Sequence, residues 1–147
     1  MPPPHPDPAQ TRHASSVAID GRAVVICGPS GSGKSALALQ LMALGAGLLA
    51  DDITLLWREG EAVMAGAPPS LPRAIELRGA GLIRAELAAP APVDLVVDLS
   101  VTETQRLPPL REITLLGRML PLLHKIEGAH FPAGIVQYVR GRGAYRA

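Results

Sequence analysis

Two short runs of apolar, partly β-branched residues, 16–19 and 23–27, flank Asp20 and Gly21. That dipeptide supplies the positive φ of a tight hairpin, so the pattern predicts two antiparallel strands. A glycine-rich stretch follows Cys27, and residues 35–43 gather Ala, Leu, Gln and Met, which favour helix, until Gly45 and Gly47 stop it. Residues 48–50 read as a short buried strand, and 53–57 and 62–65 flank the polar turn 58–61 as a second hairpin. After the proline-rich passage 67–72, alternation over 74–79 puts Glu76 and Arg78 on one strand face and Ile75 and Leu77 on the other. Residues 93–99 form the most strand-like run of the chain. Beyond it, 110–126 mixes Leu, Ile, Pro and Arg without a clean period, and the chain has no internal repeat. Strands interleaved with a helix in this order predict an α/β protein with a mixed, largely central β-sheet.

The ends differ from this core. Residues 1–10 hold five prolines and read as a disordered leader, 11–140 as the domain, and 141–147 as a flexible basic tail. With 147 residues, 48% hydrophobic and 18% charged, the chain suits one compact core. Fourteen Lys plus Arg against thirteen Asp plus Glu leave a net charge of +1, so neither nucleic acid nor an anionic membrane is an expected partner. Cys27 is the single cysteine, no secretory signal opens the chain, and a cytoplasmic location is expected. The longest apolar stretch, residues 36–50, is broken by Gln40 and is shorter than the roughly 20 residues that a membrane helix needs.

The strongest chemical signal is the run Gly28, Pro29, Ser30, Gly31, Ser32, Gly33, Lys34 and Ser35, which fits a nucleotide phosphate-binding loop (P-loop) between a strand and a helix. Glycines let backbone N–H groups curl around phosphate oxygens, and the start of the helix adds partial positive charge. Lys34 is expected to neutralise the β and γ phosphates. The Ser35 hydroxyl is expected to take one position on Mg²⁺, a hard cation that prefers oxygen ligands.

Phosphoryl transfer also needs an acidic partner for the metal and a group that receives or positions the proton of the nucleophile. Two sets offer themselves: the apolar run 93–98 ending in Asp98, and 48–52 ending in Asp51 and Asp52. Spacing does not choose between them. Adjacent residues of an unbroken strand point to opposite sides, so only one of Asp51 and Asp52 is expected to face the phosphates. His5, His13, His124 and His130 have no partner visible by spacing.

Five segments together resemble the catalytic domain of the bifunctional HPr kinase/phosphorylase family, bacterial serine kinases that modify the phosphocarrier HPr of the sugar phosphotransferase system. They are HASSV at 13–17, the loop 28–35, LADD at 49–52, GAPP at 66–69 and IELRGAGLI at 75–83. The resemblance covers about residues 11 to 140, strongly to Ile83 and weakly after it, and the family's separate N-terminal domain has no counterpart. It implies a P-loop kinase domain of phosphoenolpyruvate-carboxykinase-like fold. ATP would sit on the loop from Gly28 to Ser35, Lys34 on the transferring group, and Mg²⁺ on Ser35 and Glu76. Asp52 would accept the serine proton, with Asp51 as second candidate, and His13 would sit beside the aspartates. Expected partners are an HPr-type carrier, or a nitrogen-branch relative, and further copies of the chain in a trimer or hexamer.

Three departures qualify the transfer. Ala36 stands where the family usually carries glutamate. The family's longer glycine-rich loop with its catalytic arginine is not recognisable after Ile83, which puts the phosphorylase reaction in doubt and leaves Arg84 or Arg106 as candidate cations. The arginine- and glycine-rich run 140–146 ends the chain where the family has a C-terminal helix. Competing readings are a small-molecule kinase or nucleotide hydrolase using Asp98 for the metal, and a module that senses ATP without catalysis.

Overall fold

The computed structural model describes residues 9–145, so most of the proposed leader and the last two residues of the tail lie outside the described residues. The chain runs β1 (Gln10–Ile19), β2 (Arg22–Cys27), α1 (Lys34–Ala43), β3 (Gly47–Ala50), β4 (Ile53–Glu59) and β5 (Ala62–Gly66). It continues with β6 (Ala74–Leu77), β7 (Gly81–Arg84), β8 (Ala91–Thr102), β9 (Arg111–Leu115), β10 (Arg118–Lys125) and α2 (Phe131–Arg140). The hairpin at 20–21 forms as the dipeptide predicts, with Asp20 and Gly21 both at positive φ. At the end of α1, Gly45 N–H donates to Met42 O and Ala46 N–H to Leu41 O, the paired bonds with which a left-handed residue closes a helix.

The sheet is mixed: β2, β8 and β10 run parallel, and the other pairings are antiparallel. Because β2 pairs with β8 as well as with β1, the strands β2, β1, β4, β5 and β8 close into a ring, with β10 and β9 carried outward from β8. The two faces of this sheet bury two clusters. Val24, Ile26, Leu95 and Val97 pack against α1 and α2, while Val25, Leu56, Val63 and Val96 fill the other side. Strict alternation along β8 breaks at Asp94, where β8 carries one extra residue opposite the Ala23–Val24 step. The irregular stretch 110–126 proves to be the β9–β10 hairpin, and residues 131–140 form a helix that periodicity had not marked.

One ion pair fixes the far edge. Arg111 Nε and Nη2 donate to Glu103 Oε1 and Oε2 at 2.9 and 3.0 Å, and the backbone N–H groups of Thr104 and Gln105 donate to the same carboxylate. The Arg111 hydrogen bonds hold the Glu103 carboxyl well below the usual range, at about 2. A carboxyl depressed in the folded state stabilises it above the ordinary pKa of 4.5 and loses that contribution as pH falls towards about 2. Melting temperature is therefore expected to drop between pH 5 and pH 3, and Glu103→Gln to flatten that part of the profile; a parallel profile in the variant would count against it.

Candidate functional site

The loop from Gly28 to Gly33 leaves β2 and enters α1 with three glycines, Gly28, Gly31 and Gly33, at positive φ. At Gly28 a Cβ would lie 2.6 Å from Ser32 Oγ and 3.3 Å from Leu99 Cβ, so the close turn excludes a side chain there. No side chain caps α1 and no acidic residue occupies its first turn. Its opening N–H groups keep their capacity for an anion. Lys34 is buried, and its Nζ donates to Gly28 O at 2.8 Å and Pro29 O at 3.2 Å, which holds the ammonium on the carbonyls of its own loop.

The two aspartates do not obey strand alternation, and the reason is local. β3 stops at Ala50, Ile53 N–H donates to Asp51 O, and Asp52 takes a left-handed φ of 68°. The reversal brings both carboxylates to the loop end of the sheet. Asp51 Oδ1 accepts from Ser35 Oγ at 2.6 Å and from Ser15 Oγ at 2.8 Å, and its Oδ2 accepts from Glu76 N–H at 2.9 Å. Asp51 thereby ties α1, β1 and β6 together through one side chain. Asp52 Oδ1 lies 2.6 Å from His13 Nε2, and both side chains are more than half exposed, at 64% and 51%. His13 sits within β1, not before it, opposite Ile53. Behind this pair, Thr54 donates to Ala14 O and shares a buried hydrogen bond with Ser16, which fixes β1 against β4.

An open cavity of about 700 Å³ covers the loop. Lys34, Ser35, Asp52, Glu76 and Arg78 all line it, together with the apolar Ala36, Leu39 and Leu77 and the amide of Gln40. The 74–84 segment is a two-stranded hairpin apart from the main sheet. Ile75 is buried, but Leu77 is exposed and shares the cavity with Glu76 and Arg78, because β6 ends there and the expected two-faced alternation ends with it. Neither Arg84 nor Arg106 lines this cavity; Arg78 does, with Nη2 4.0 Å from where a Cβ on Gly31 would stand.

Asp98 is not among the lining residues, and its Oδ1 accepts from the N–H and hydroxyl of Ser100. Among the remaining histidines, His124 faces Glu103 at 3.9 Å and His130 ends the loop before α2, while His5 lies outside the described residues. Sequence reasoning missed Ser15 as a holder of Asp51 and Arg78 as the cation over the loop. Both lie inside the quoted segments at 13–17 and 75–83, but only the pairing of distant strands gives them these roles. The stretch after Ile83 is no free loop either: Ala88 N–H donates to Leu48 O at 2.7 Å, which lays it against β3.

Helix and strands meeting at a glycine-rich loop, with carboxylates gathered over it, define a mixed α/β domain with a cavity over that loop. A family model described as the HPr serine kinase C-terminal domain matches residues 7–106, and the chain belongs to that family. The HPr kinase/phosphorylase of Nitrosomonas europaea is 46% identical over 77 residues, 52% of this chain and 24% of that protein. That of Leptothrix cholodnii is 43% identical over 74 residues, 50% of this chain and 23% of that protein. These alignments thus span about a quarter of the length of the curated relatives. The structure of the HPr(Ser) kinase/phosphatase from Coxiella burnetii aligns with a TM-score of 0.74 at 26% identity, over 90% of this chain and 89% of that one. Among the described residues, no helix is long and apolar enough to cross a membrane.

Proposed function

We propose that residues 11–140 form a P-loop protein-serine kinase domain that transfers the γ-phosphoryl group of ATP, with Mg²⁺, to a serine of an HPr-type phosphocarrier. The observation that carries this reading is the convergence of Lys34, Ser35, Asp52, Glu76 and Arg78 on one cavity above the loop. The site residues fit a magnesium nucleotide. The Ser35 hydroxyl donates its hydrogen bond to Asp51, which leaves lone pairs on its oxygen to act as a ligand, and Glu76 adds a carboxylate in the same cavity. Mg²⁺ is commonly held by one or two protein oxygens together with substrate phosphates, so a prebuilt cage is not required. Bound there, it would neutralise charge on the phosphate oxygens.

The protein's own groups then have distinct tasks. Lys34 leaves the carbonyls of Gly28 and Pro29 to pair with phosphate. Asp52, steadied by His13, accepts the proton of the serine hydroxyl as the P–O bond to the leaving diphosphate breaks, and ADP and phosphoserine result. Arg78 supplies positive charge to the transferring group from the hairpin. We place the reaction in the cytoplasm and the working form as a homo-oligomer, on the family resemblance alone.

Incubation of the chain with ATP, Mg²⁺ and purified HPr is expected to yield a single phosphoserine on the carrier by mass spectrometry. ATP consumption with an unmodified carrier would overturn the assigned acceptor and leave a small-molecule kinase or nucleotide hydrolase.

A further inference from the structure

Ser15 is wholly buried in β1, and its hydroxyl has two partners at the reversal between β3 and β4. Its Oγ donates to Asp51 Oδ1 at 2.8 Å and accepts from Asp52 N–H at 3.3 Å, using the one proton and a lone pair of the hydroxyl together. His13 lies two residues earlier on the same face of β1, and its Nε2 meets the Asp52 carboxylate at 2.6 Å. One strand therefore holds Asp52 at both ends, the amide through a buried oxygen and the carboxylate through a half-exposed imidazole. β1 itself is pinned to β4 by the bonds of Thr54 to Ser16 and to Ala14 O.

We propose that Ser15 is a positioning residue for phosphate transfer whose hydroxyl sets the place of Asp52 relative to Ser35, an inference that rests on the reading of Asp52 as the proton acceptor. Asp52 stands at a φ of 68°, a sparsely populated left-handed conformation that the surrounding contacts must hold. The bond from its N–H to Ser15 is one such contact, and the bond from Ile53 N–H to Asp51 O is another. Asp51 carries the link onward, because the Oδ1 that accepts from Ser15 also accepts from Ser35 Oγ at 2.6 Å. The run of contacts from Asp52 N–H through Ser15 and Asp51 to Ser35 thus fixes the spacing between the acid that takes the serine proton and the hydroxyl offered to the metal. Transfer is sensitive to such placement, since a misfit of about 1 Å can cost ~10²-fold. Nucleotide binding is less so, since without the Ser15 hydroxyl the Asp51 carboxylate keeps Ser35 and the Glu76 N–H as donors.

Single-turnover phosphoserine formation and magnesium ATP calorimetry on Ser15→Ala, alone and combined with Asp52→Asn, test it. Ser15→Ala is expected to lower transfer about 10–10²-fold and to leave ATP affinity close to that of the parent. In the Asp52→Asn background the same change is expected to cost nothing further, because misplacing a group that no longer takes the proton has no effect on transfer. Parental transfer in Ser15→Ala, an equal loss of ATP affinity, or losses that multiply in the double variant would each overturn the role. Amide hydrogen exchange on the parent supplies an arm that needs no variant. Slow exchange at Asp52 N–H, as a bond to a buried oxygen requires, supports the link, and exchange as fast as in an open turn sinks it. If the parent leaves the carrier unmodified, or Asp52→Asn alone transfers at the parental rate, the acceptor reading itself has failed; if Asp52→Asn is impaired and Ser15→Ala is not, only the role of Ser15 falls.

Discussion

Asp52→Asn leaves magnesium ATP bound with an affinity close to that of the parent and lowers phosphate transfer to the carrier serine by about 10²–10⁴-fold, the usual weight of a positioned proton acceptor. The substitution is clean for a structural reason. Residue 52 sits at a φ of 68°, in the left-handed region that Asn tolerates as well as Asp, so the reversal between β3 and β4 survives. Its amide keeps the size and a polar contact to His13 while losing the basicity. Asp51→Asn behaves differently. That carboxylate accepts from Ser15, Ser35 and the Glu76 N–H at once, and an NH₂ group in one of those places meets a donor. Loss of stability and of metal-dependent nucleotide binding should accompany the loss of transfer. Single-turnover phosphoserine formation and ATP calorimetry on both variants separate the roles. Transfer retained in Asp52→Asn but abolished in Asp98→Asn would move the acidic function to β8.

Lys34→Met reduces ATP affinity and transfer together, with transfer falling by about 10²–10³-fold, because the ammonium stabilises phosphate charge both before and during transfer. The fold should tolerate the change. In the free protein Lys34 Nζ makes two hydrogen bonds to loop carbonyls, each worth about 1.5–3 kcal/mol for a charged donor, but holding an ammonium in a nearly buried place offsets much of that. Met matches the length of the stem and fills the same space. A melting temperature within a few degrees of the parent, with ATP-induced stabilisation gone, is the expected thermal-shift result. Full ATP-induced stabilisation in Lys34→Met would mean that the nucleotide sits elsewhere.

The conformation of the loop was legible because it is local. Glycine spacing, the following Lys and Ser, the helix of Ala and Leu and the Asp20–Gly21 turn all act over a few residues, and each has one dominant conformation. The resemblance pointed also to His13, Asp52 and Glu76, whose placement at the site no spacing within their own segments carries. Two local rules misled. Alternation separated Asp51 from Asp52, but a left-handed residue ended the strand between Ala50 and Ile53. Alternation also opposed Leu77 to Glu76, but β6 ends at Leu77, and a short strand without a second covered face has nothing to enforce the pattern.

By itself, then, the amino-acid order determined the glycine-rich turn, the helix behind it and the acids available near it. Tertiary structure alone decided which acids gather at that turn. His13 reaches Asp52 across 39 positions because β1 pairs with β4, and Ser35 and Glu76 share Asp51 because α1 and the 74–84 hairpin pack at the same end of the sheet. Arg78, and neither Arg84 nor Arg106, lines the cavity over the loop for the same reason. Closure of a five-strand ring is a cooperative choice among many strand pairings. No single segment encodes it, because each pairing is favourable only once the apolar faces on both sides of the sheet are covered together.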